Sequence, residues 1–366
     1  MGEHRQERIL HFPTETGGNP WGLSRAERRL GAQSDVVTIH PPLLAHPVDR
    51  TLTAPSTGKI GNVLRQLAFA AAAGVQYDVL HLNFGRSLLP GYLAHGLDTA
   101  LLRALGRRVF MTFMGSDART STRADGRPAL VDDGSGDPFY RPEDDAGKRA
   151  VVRRAQRWCD RVFCVNPDLC ALIDGSEFLP YTSVDPSAVA VRTPRSDRGP
   201  LRVAHAPTKR RVKGTAAVID ACAKLGDAIK LTLIEGRPHA DAVAMYRDAD
   251  VVVDQLRIGW YGGLAVECMA MAVPVIGFIR DEDLVYVPAR MAKQLPIIRA
   301  DAGSLADVLA GLAADHQQGG ARLEEAGTAS RAYAERWHDP LPIAERLLQI
   351  AADPSRRLWD AKPRND

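Results

Sequence analysis

Along the chain, short apolar runs rich in β-branched residues alternate with longer stretches whose apolar positions recur every three or four residues. The runs RILHF (8–12), DVVTI (35–39), YDVLHLNF (77–84), RRVFMTFM (107–114), RVFCVN (161–166) and EFLPY (177–181) predict strands. Residues 182–200, TSVDPSAVAVRTPRSDRGP, break the pattern with proline, serine and charge, and read as a linker. A second series follows in LRVAHA (201–206), KLTLIE (230–235), DVVVDQL (250–256), VPVIGF (273–278) and PIIRA (296–300). Strand–helix alternation predicts parallel, doubly wound sheets. The expected class is α/β, with two Rossmann-like domains and a ligand cleft at the carboxyl ends of the strands.

The first strand runs into TETGGNPWGLSRAERRLG (14–31). Gly17 and Gly18 permit a tight turn, Asn19 suits an N-cap, Pro20 the first helical position and Gly31 the stop. A helix N-terminus offers free N–H groups to an anion such as a phosphate. The second domain opens in the same way, with APTKRRVKGT leading to a helix that Thr215 caps and Gly226 ends. Lys209, Arg210, Arg211 and Lys213 crowd that loop, and arginine can fork onto two phosphate oxygens. Next, DQLRIGWYGGLAVECMAMAVPVIGF places a glycine-rich aromatic loop before a helix on which Gly263, Glu267 and Ala270 share a face. A carboxylate on so small and apolar a helix needs donors, either protein groups or ligand hydroxyls. FMTFMGSDAR (110–119) ends a strand in a turn where Asp117 either caps the turn or orients a ligand. His81 and Asn83 close a neighbouring strand, and His81 reads as structural. The polar segment 120–145 is long for a connector and reads either as a functional flap, a mobile acceptor-side loop, or as a disordered stretch.

The bulk numbers add exclusions. The 366 residues carry a net charge of +3, too small to argue for nucleic acid. The five cysteines form no CxxC and read as reduced thiols, fitting a cytoplasm. The charged start has no apolar core of a signal peptide, and no apolar run reaches the ~18 residues of a membrane span. LAFAAAAGV (67–75) is too short for one and reads as a buried or surface-docked helix. The opening loop reads GGxxxG rather than GxGxxG, with no acidic residue closing the second strand, which disfavours a nicotinamide dehydrogenase. No carboxylate pair stands out for glycoside hydrolysis.

These segments together resemble the GT-B glycosyltransferases, specifically the retaining glycosyltransferase family 4, over nearly the whole chain. TETGGNPWGLSRAERRLG is similar to that family's first glycine loop, YDVLHLNFG and VFMTFMGSDAR to its third-strand and His-Gly-x-Asp segments, and APTKRRVKGT to its phosphate loop. GGLAVECMAMAVPVI resembles its Glu-Ala-Met-Ala-x-Gly-x-Pro-Val-Ile signature. The resemblance implies an acceptor-side domain over 1–190, a nucleotide-sugar donor domain over 200–335, and a C-terminal helix (336–358) that packs back on the first domain. It implies that Arg210 and Lys213 bind the donor diphosphate and that Glu267 holds the ribose hydroxyls. Gly17 and Gly18 would let the first loop approach diphosphate and sugar. Glu235 and Gly236 would lie near the base, and Gly262, Gly263 and Leu264 would line the donor site. Two positions depart from the family: Gly259 stands where the first of two glutamates would fall, and Met114 where the histidine would.

The activity so implied is retaining transfer of a sugar from a nucleotide-diphosphate-sugar to an acceptor hydroxyl on a polysaccharide, lipid-linked or small-molecule acceptor. Arg210, Lys213 and Asp117 are its catalytic candidates, and neither a cofactor nor an essential metal is expected. The implied location is cytoplasmic, with peripheral contact at the inner membrane face through first-domain arginines left open. The competing reading is a non-catalytic nucleotide-sugar-binding protein or partner subunit. A GT-B-like epimerase is less favoured, because Met114 and Gly259 supply no acid or base.

Overall fold

In this computed structural model the described residues are 6–42, 45–53, 58–91, 96–135, 139–195 and 197–359. They form two compact units. One comprises Met1–Thr120, Arg141–Ser183 and Pro340–Asp366; the other comprises Ser121–Tyr140 and Val184–Asp339.

The apolar runs of unit 1 become strands β1 (Arg8–Phe12), β2 (Gln33–Thr38), β3 (Arg50–Thr51), β4 (Val79–Asn83), β5 (Arg108–Phe113), β6 (Arg161–Cys164) and β7 (Glu177–Phe178). They form one parallel sheet in the order β3-β2-β1-β4-β5-β6-β7. Strand order reverses between β1 and β4, so this unit's topological switch point lies at Phe12 and Asn83. Continuous apolar runs are what such strands need, because helices cover both faces of the sheet. One face is covered by the helices Asn19–Arg29 and Pro340–Ala352, whose Leu23, Ala26, Ile343, Leu347 and Ile350 pack with Ile9, Phe110 and Phe163. The two-residue β3 was not foreseen; it is too short to carry periodicity.

Unit 2 holds β8 (Leu201–His205), β9 (Ile229–Leu233), β10 (Val251–Val253), β11 (Val275–Gly277) and β12 (Ile298–Arg299) in the parallel order β12-β11-β10-β8-β9. Its switch point falls between β8 and β10, where His205 ends β8 and Asp254 follows β10. The core joins Val203, Val251, Val253 and Ile276 with Val218 and Cys222 of the helix Thr215–Leu225, and with Leu305, Leu309 and Leu312 of the helix Leu305–Gln317.

The segment 120–145 departs from its expected place. Ser121–Tyr140 belongs to unit 2, where Ala129, Leu130 and Tyr140 pack on Val212 and Ile258. These apolar positions are spaced too irregularly to announce a buried face. Residues 136–138 of that segment, and Ser196 of the linker, lie outside the described residues.

Candidate active site

The switch point of unit 2 is built around two buried side chains. His205 ends β8 fully buried; its Nδ1 lies 2.7 Å from the Val253 carbonyl and its Nε2 2.9 Å from the Thr215 hydroxyl. It ties β8, β10 and the start of the helix Thr215–Leu225 together, and burial pushes its pKa down, which favours the uncharged ring. Thr215 therefore serves His205 rather than the helix cap it was expected to provide, and Gly214 takes the cap position at φ +78°. A Cβ at Gly214 would lie 3.1 Å from Leu256 Cβ, too close for comfort in any L-residue with that φ.

Asp254 follows β10 with no exposed surface. Its Oδ1 receives Lys213 Nζ at 2.5 Å, and its Oδ2 accepts the Gly262 amide at 2.6 Å. Lys213 sits at the end of the short helix Arg210–Lys213, and Gly262 immediately precedes the helix Gly263–Ala270. Asp254 thus locks the basic loop to the start of the helix that carries Gly263, Leu264 and Glu267. A Cβ at Gly262 would lie 3.3 Å from Lys213 Nζ, so a side chain there would ask the ammonium group to give way by a few tenths of an ångström. One turn into the helix, Glu267 Oε1 meets His239 Nε2 at 2.7 Å, and that hydrogen bond raises the histidine pKa. The donor Glu267 was expected to require is therefore the first residue of the helix His239–Arg247.

Arg210 is exposed and forks onto Glu235, with Nε to Oε1 at 2.8 Å and Nη2 to Oε2 at 2.5 Å. That bond lowers the Glu235 pKa, and Gly236 turns the loop beside it at φ +61°. Arg211 and the buried Arg257 both reach Asp133, at 3.3 and 2.5 Å, while Arg257 Nε donates to the Val131 carbonyl at 2.6 Å. The Ser135 hydroxyl and the two arginines hold the Asp133 carboxyl down at about 2. The strap 121–135 is thus clamped to the basic loop by its own carboxylate.

The aromatic loop is core rather than lining. Trp260 and Tyr261 are buried, and the Tyr261 hydroxyl lies 2.9 Å from His338 Nε2 and 3.2 Å from the Tyr333 hydroxyl. Gly259 has a steric reason to lack the glutamate of the resembled family: a Cβ there would fall 2.4 Å from Arg280 Cβ. Arg280 pairs with Asp283, which Arg123 also holds with two bonds at 2.9 and 3.0 Å.

In unit 1 the expected anion seat is already filled. The buried Glu15 carboxylate accepts the Gly18 amide at 2.5 Å and the Trp21 amide at 3.1 Å, at the N-terminus of the helix Asn19–Arg29. Burial pushes its pKa up to about 7, against the pull of these two amides. Gly17 and Gly18 both have positive φ, and a Cβ on Gly18 would press on Ser183 at 3.0 Å. Asn19 does not cap the helix; its Oδ1 accepts the Thr182 amide at 2.8 Å. The strictest glycine here is Gly22, whose Cβ would lie 1.7 Å from the Thr182 carbonyl oxygen. Asp117 engages the amides of Met114 and Gly115, at 3.0 and 2.7 Å, and so caps its own turn. His81 is buried with Nε2 2.7 Å from the Thr112 hydroxyl, and burial pushes its pKa down, in keeping with a structural role. Among the described residues no group of histidine, cysteine and carboxylate side chains is arranged to hold a metal ion.

No protein-family model matches this sequence. No curated protein matches it at the sequence level. Solved structures do match in shape. Sucrose-phosphate synthase from Thermosynechococcus elongatus superposes with a TM-score of 0.63 at 16% identity, covering 96% of this chain and 99% of its own. HepE from Anabaena, in complex with UDP and glucose, gives 0.60 at 13% identity over 95% of this chain and 100% of its own. A glycosyltransferase from Rickettsia africae gives 0.60 at 12% identity over 97% and 100%. At these identities the likeness is one of fold, and the fold is that of GT-B glycosyltransferases.

Proposed function

We propose that the chain transfers a sugar from a nucleotide-diphosphate-sugar to an acceptor hydroxyl, with the donor held by unit 2. The reading rests on the convergence of Lys213, Asp254, the Gly262 amide and the Glu267-bearing helix at one switch point, where open α/β sheets bind ligands. It is also supported by the shared fold with HepE, which was crystallised with UDP and glucose.

In this reading the diphosphate lies against Lys213, Arg210 and the N-terminus of the helix Gly263–Ala270. Arg210 exchanges Glu235 for phosphate oxygens. The fork geometry suits either partner, and an exposed ion pair adds little stability, so the exchange costs little. Glu267 accepts from the ribose hydroxyls while His239 steadies its other oxygen. As the bond from the anomeric carbon to the β-phosphate oxygen breaks, charge grows on the leaving phosphate, and the two cations and the helix N-terminus stabilise it. The acceptor oxygen bonds to the anomeric carbon on the same face, and its proton passes to the departing phosphate, so configuration is retained. The leaving charge is met by side chains, so the step calls for no divalent cation. Acceptor recognition is assigned to unit 1; polysaccharide, lipid-linked and small-molecule acceptors all fit this scheme.

The test begins with a thermal-shift screen of UDP, GDP, ADP and dTDP, since a tight ligand raises the melting point by mass action. With the donor so chosen, Lys213→Ala should lower turnover about 100-fold or more, the scale of losing one preorganised charge contact to the leaving group. Undiminished turnover would overturn the assignment. Nucleotide binding without any turnover, across donors and acceptors, would favour the non-catalytic reading.

A further inference from the structure

Six large aliphatic side chains stand exposed on two neighbouring helices of unit 1. Ile60, Leu64 and Val75 project from the helix Gly58–Gln76 at 79%, 61% and 69% exposure. Leu97, Leu101 and Leu105 project from the helix Leu97–Ala104 and its end at 63%, 60% and 57%. Singly exposed leucines are ordinary, but a cluster of this size marks an interaction site. The spacing is regular: Leu97, Leu101 and Leu105 fall at i, i+4 and i+8, and the exposed Ala68 and Ala71 join Leu64 to Val75 on one stripe. The two helices touch, since a Cβ on Gly74 would lie 3.2 Å from Leu102 Cδ2. Arg107 Nε, just after the second helix, donates to the Gly74 carbonyl at 2.9 Å.

Positive charge borders this apolar face. A third helix, Pro142–Trp158, lies beside the second, with Arg103 donating to the Arg157 carbonyl and Arg154 against Gly96. It presents Arg153, Arg154 and Arg157, with the half-exposed Trp158 under the Arg157 guanidinium at 4.8 Å. Arg65 projects beside Leu64 on the first helix. Arg65, Arg153 and Arg154 make no ion pair with the described residues. The exposed acids of the third helix, Glu143 and Asp144, sit in its first turn at the far end from these arginines. Asp98 is buried, and Asp78 and Asp160 are taken by Arg107 and Arg103.

We infer that this three-helix face docks on an anionic lipid bilayer, its leucines entering the headgroup–acyl boundary and its arginines facing lipid phosphates. Aliphatic side chains backed by arginine and an aromatic are the composition that an interfacial helix face requires. No helix among the described residues is long and apolar enough to cross a membrane, so the contact is with one leaflet. A second copy of the chain suits the face less well. A two-fold contact sets each patch against itself, and here it would bury the arginines against aliphatic side chains or other arginines, with no exposed acid among the described residues of the face to receive them. The inference does not rest on the transferase reading, because none of these residues belongs to the donor site.

Flotation of the full chain with vesicles of equal parts phosphatidylcholine and phosphatidylglycerol, and of phosphatidylcholine alone, tests it. Binding is expected to the anionic vesicles, weakening as salt rises. Leu101→Glu and Leu64→Glu, both at exposed positions and checked by circular dichroism, should each reduce binding by about tenfold or more. Arg153→Gln with Arg154→Gln should reduce it about fivefold per charge removed. Three results would overturn it: no binding of the folded chain to anionic vesicles, binding unchanged by Leu101→Glu, or a dimer in sedimentation velocity that Leu101→Glu abolishes in a chain without vesicle affinity.

Discussion

Gly259→Ala tests whether steric exclusion explains the chain's departure from the resembled family. Gly259 does not have a left-handed φ, so alanine meets no backbone penalty and the whole effect is one of space. The added Cβ would fall 2.4 Å from Arg280 Cβ and 3.0 Å from its Nη1, and a Cβ cannot swing away as a side-chain tip can. Either the 255–262 loop or the backbone at 280 must shift, and the Arg280 amide is bonded to the Gly259 carbonyl at 3.0 Å. Overpacking of this kind costs about 1–3 kcal/mol. For a unit of this size each kcal/mol lowers the melting temperature by about 2–4 °C, so differential scanning calorimetry should show a fall of about 2–12 °C. The double variant Gly259→Ala, Arg280→Gly removes the opposing Cβ while Asp283 keeps both bonds from Arg123. Its loss should be smaller than the sum of the two single losses. A Gly259→Ala protein within about 0.5 kcal/mol of the parent, the range of ordinary surface changes, would refute the reasoning.

Glu15 makes stability depend on pH. Its folded carboxyl titrates near 7 against an ordinary 4.5, so the folded chain holds the proton more tightly than the unfolded one. The contribution of Glu15 to stability is therefore greatest below pH 4.5 and is lost as pH rises through 7, by up to about 3 kcal/mol. Urea unfolding across that window should show the parent losing more stability than Glu15→Gln as pH rises; the same pH slope in both proteins would contradict the assignment. If Glu267 holds the ribose as proposed, Glu267→Gln should lower kcat/KM for the donor about 10- to 100-fold, as expected for loss of a charged hydrogen bond. Steady-state kinetics with unchanged kcat/KM would remove Glu267 from the donor contacts.

The chain's own pattern determined the strands, because parallel strands covered on both faces must be continuous apolar runs: RILHF is β1 to the residue, and ten further runs mark the cores of later strands. It also placed Gly262 before a helix and Glu267 on that helix, since such turns are written in local glycine, whereas the stretch read as a basic loop forms the short helix Arg210–Lys213. Tertiary structure decided what each polar group faces. Asp254 under Lys213, His239 beside Glu267 and Glu15 inside the first helix's N-terminus are pairings made by strand order and loop closure, which no local period records. Asp254 did leave a trace, as an acid closing the run VVV at a sheet's carboxyl edge. The docking of 121–140 on unit 2, and Arg280 filling the space at Gly259, left none. A buried charge is stable only beside its partner, and the partner is chosen by the fold.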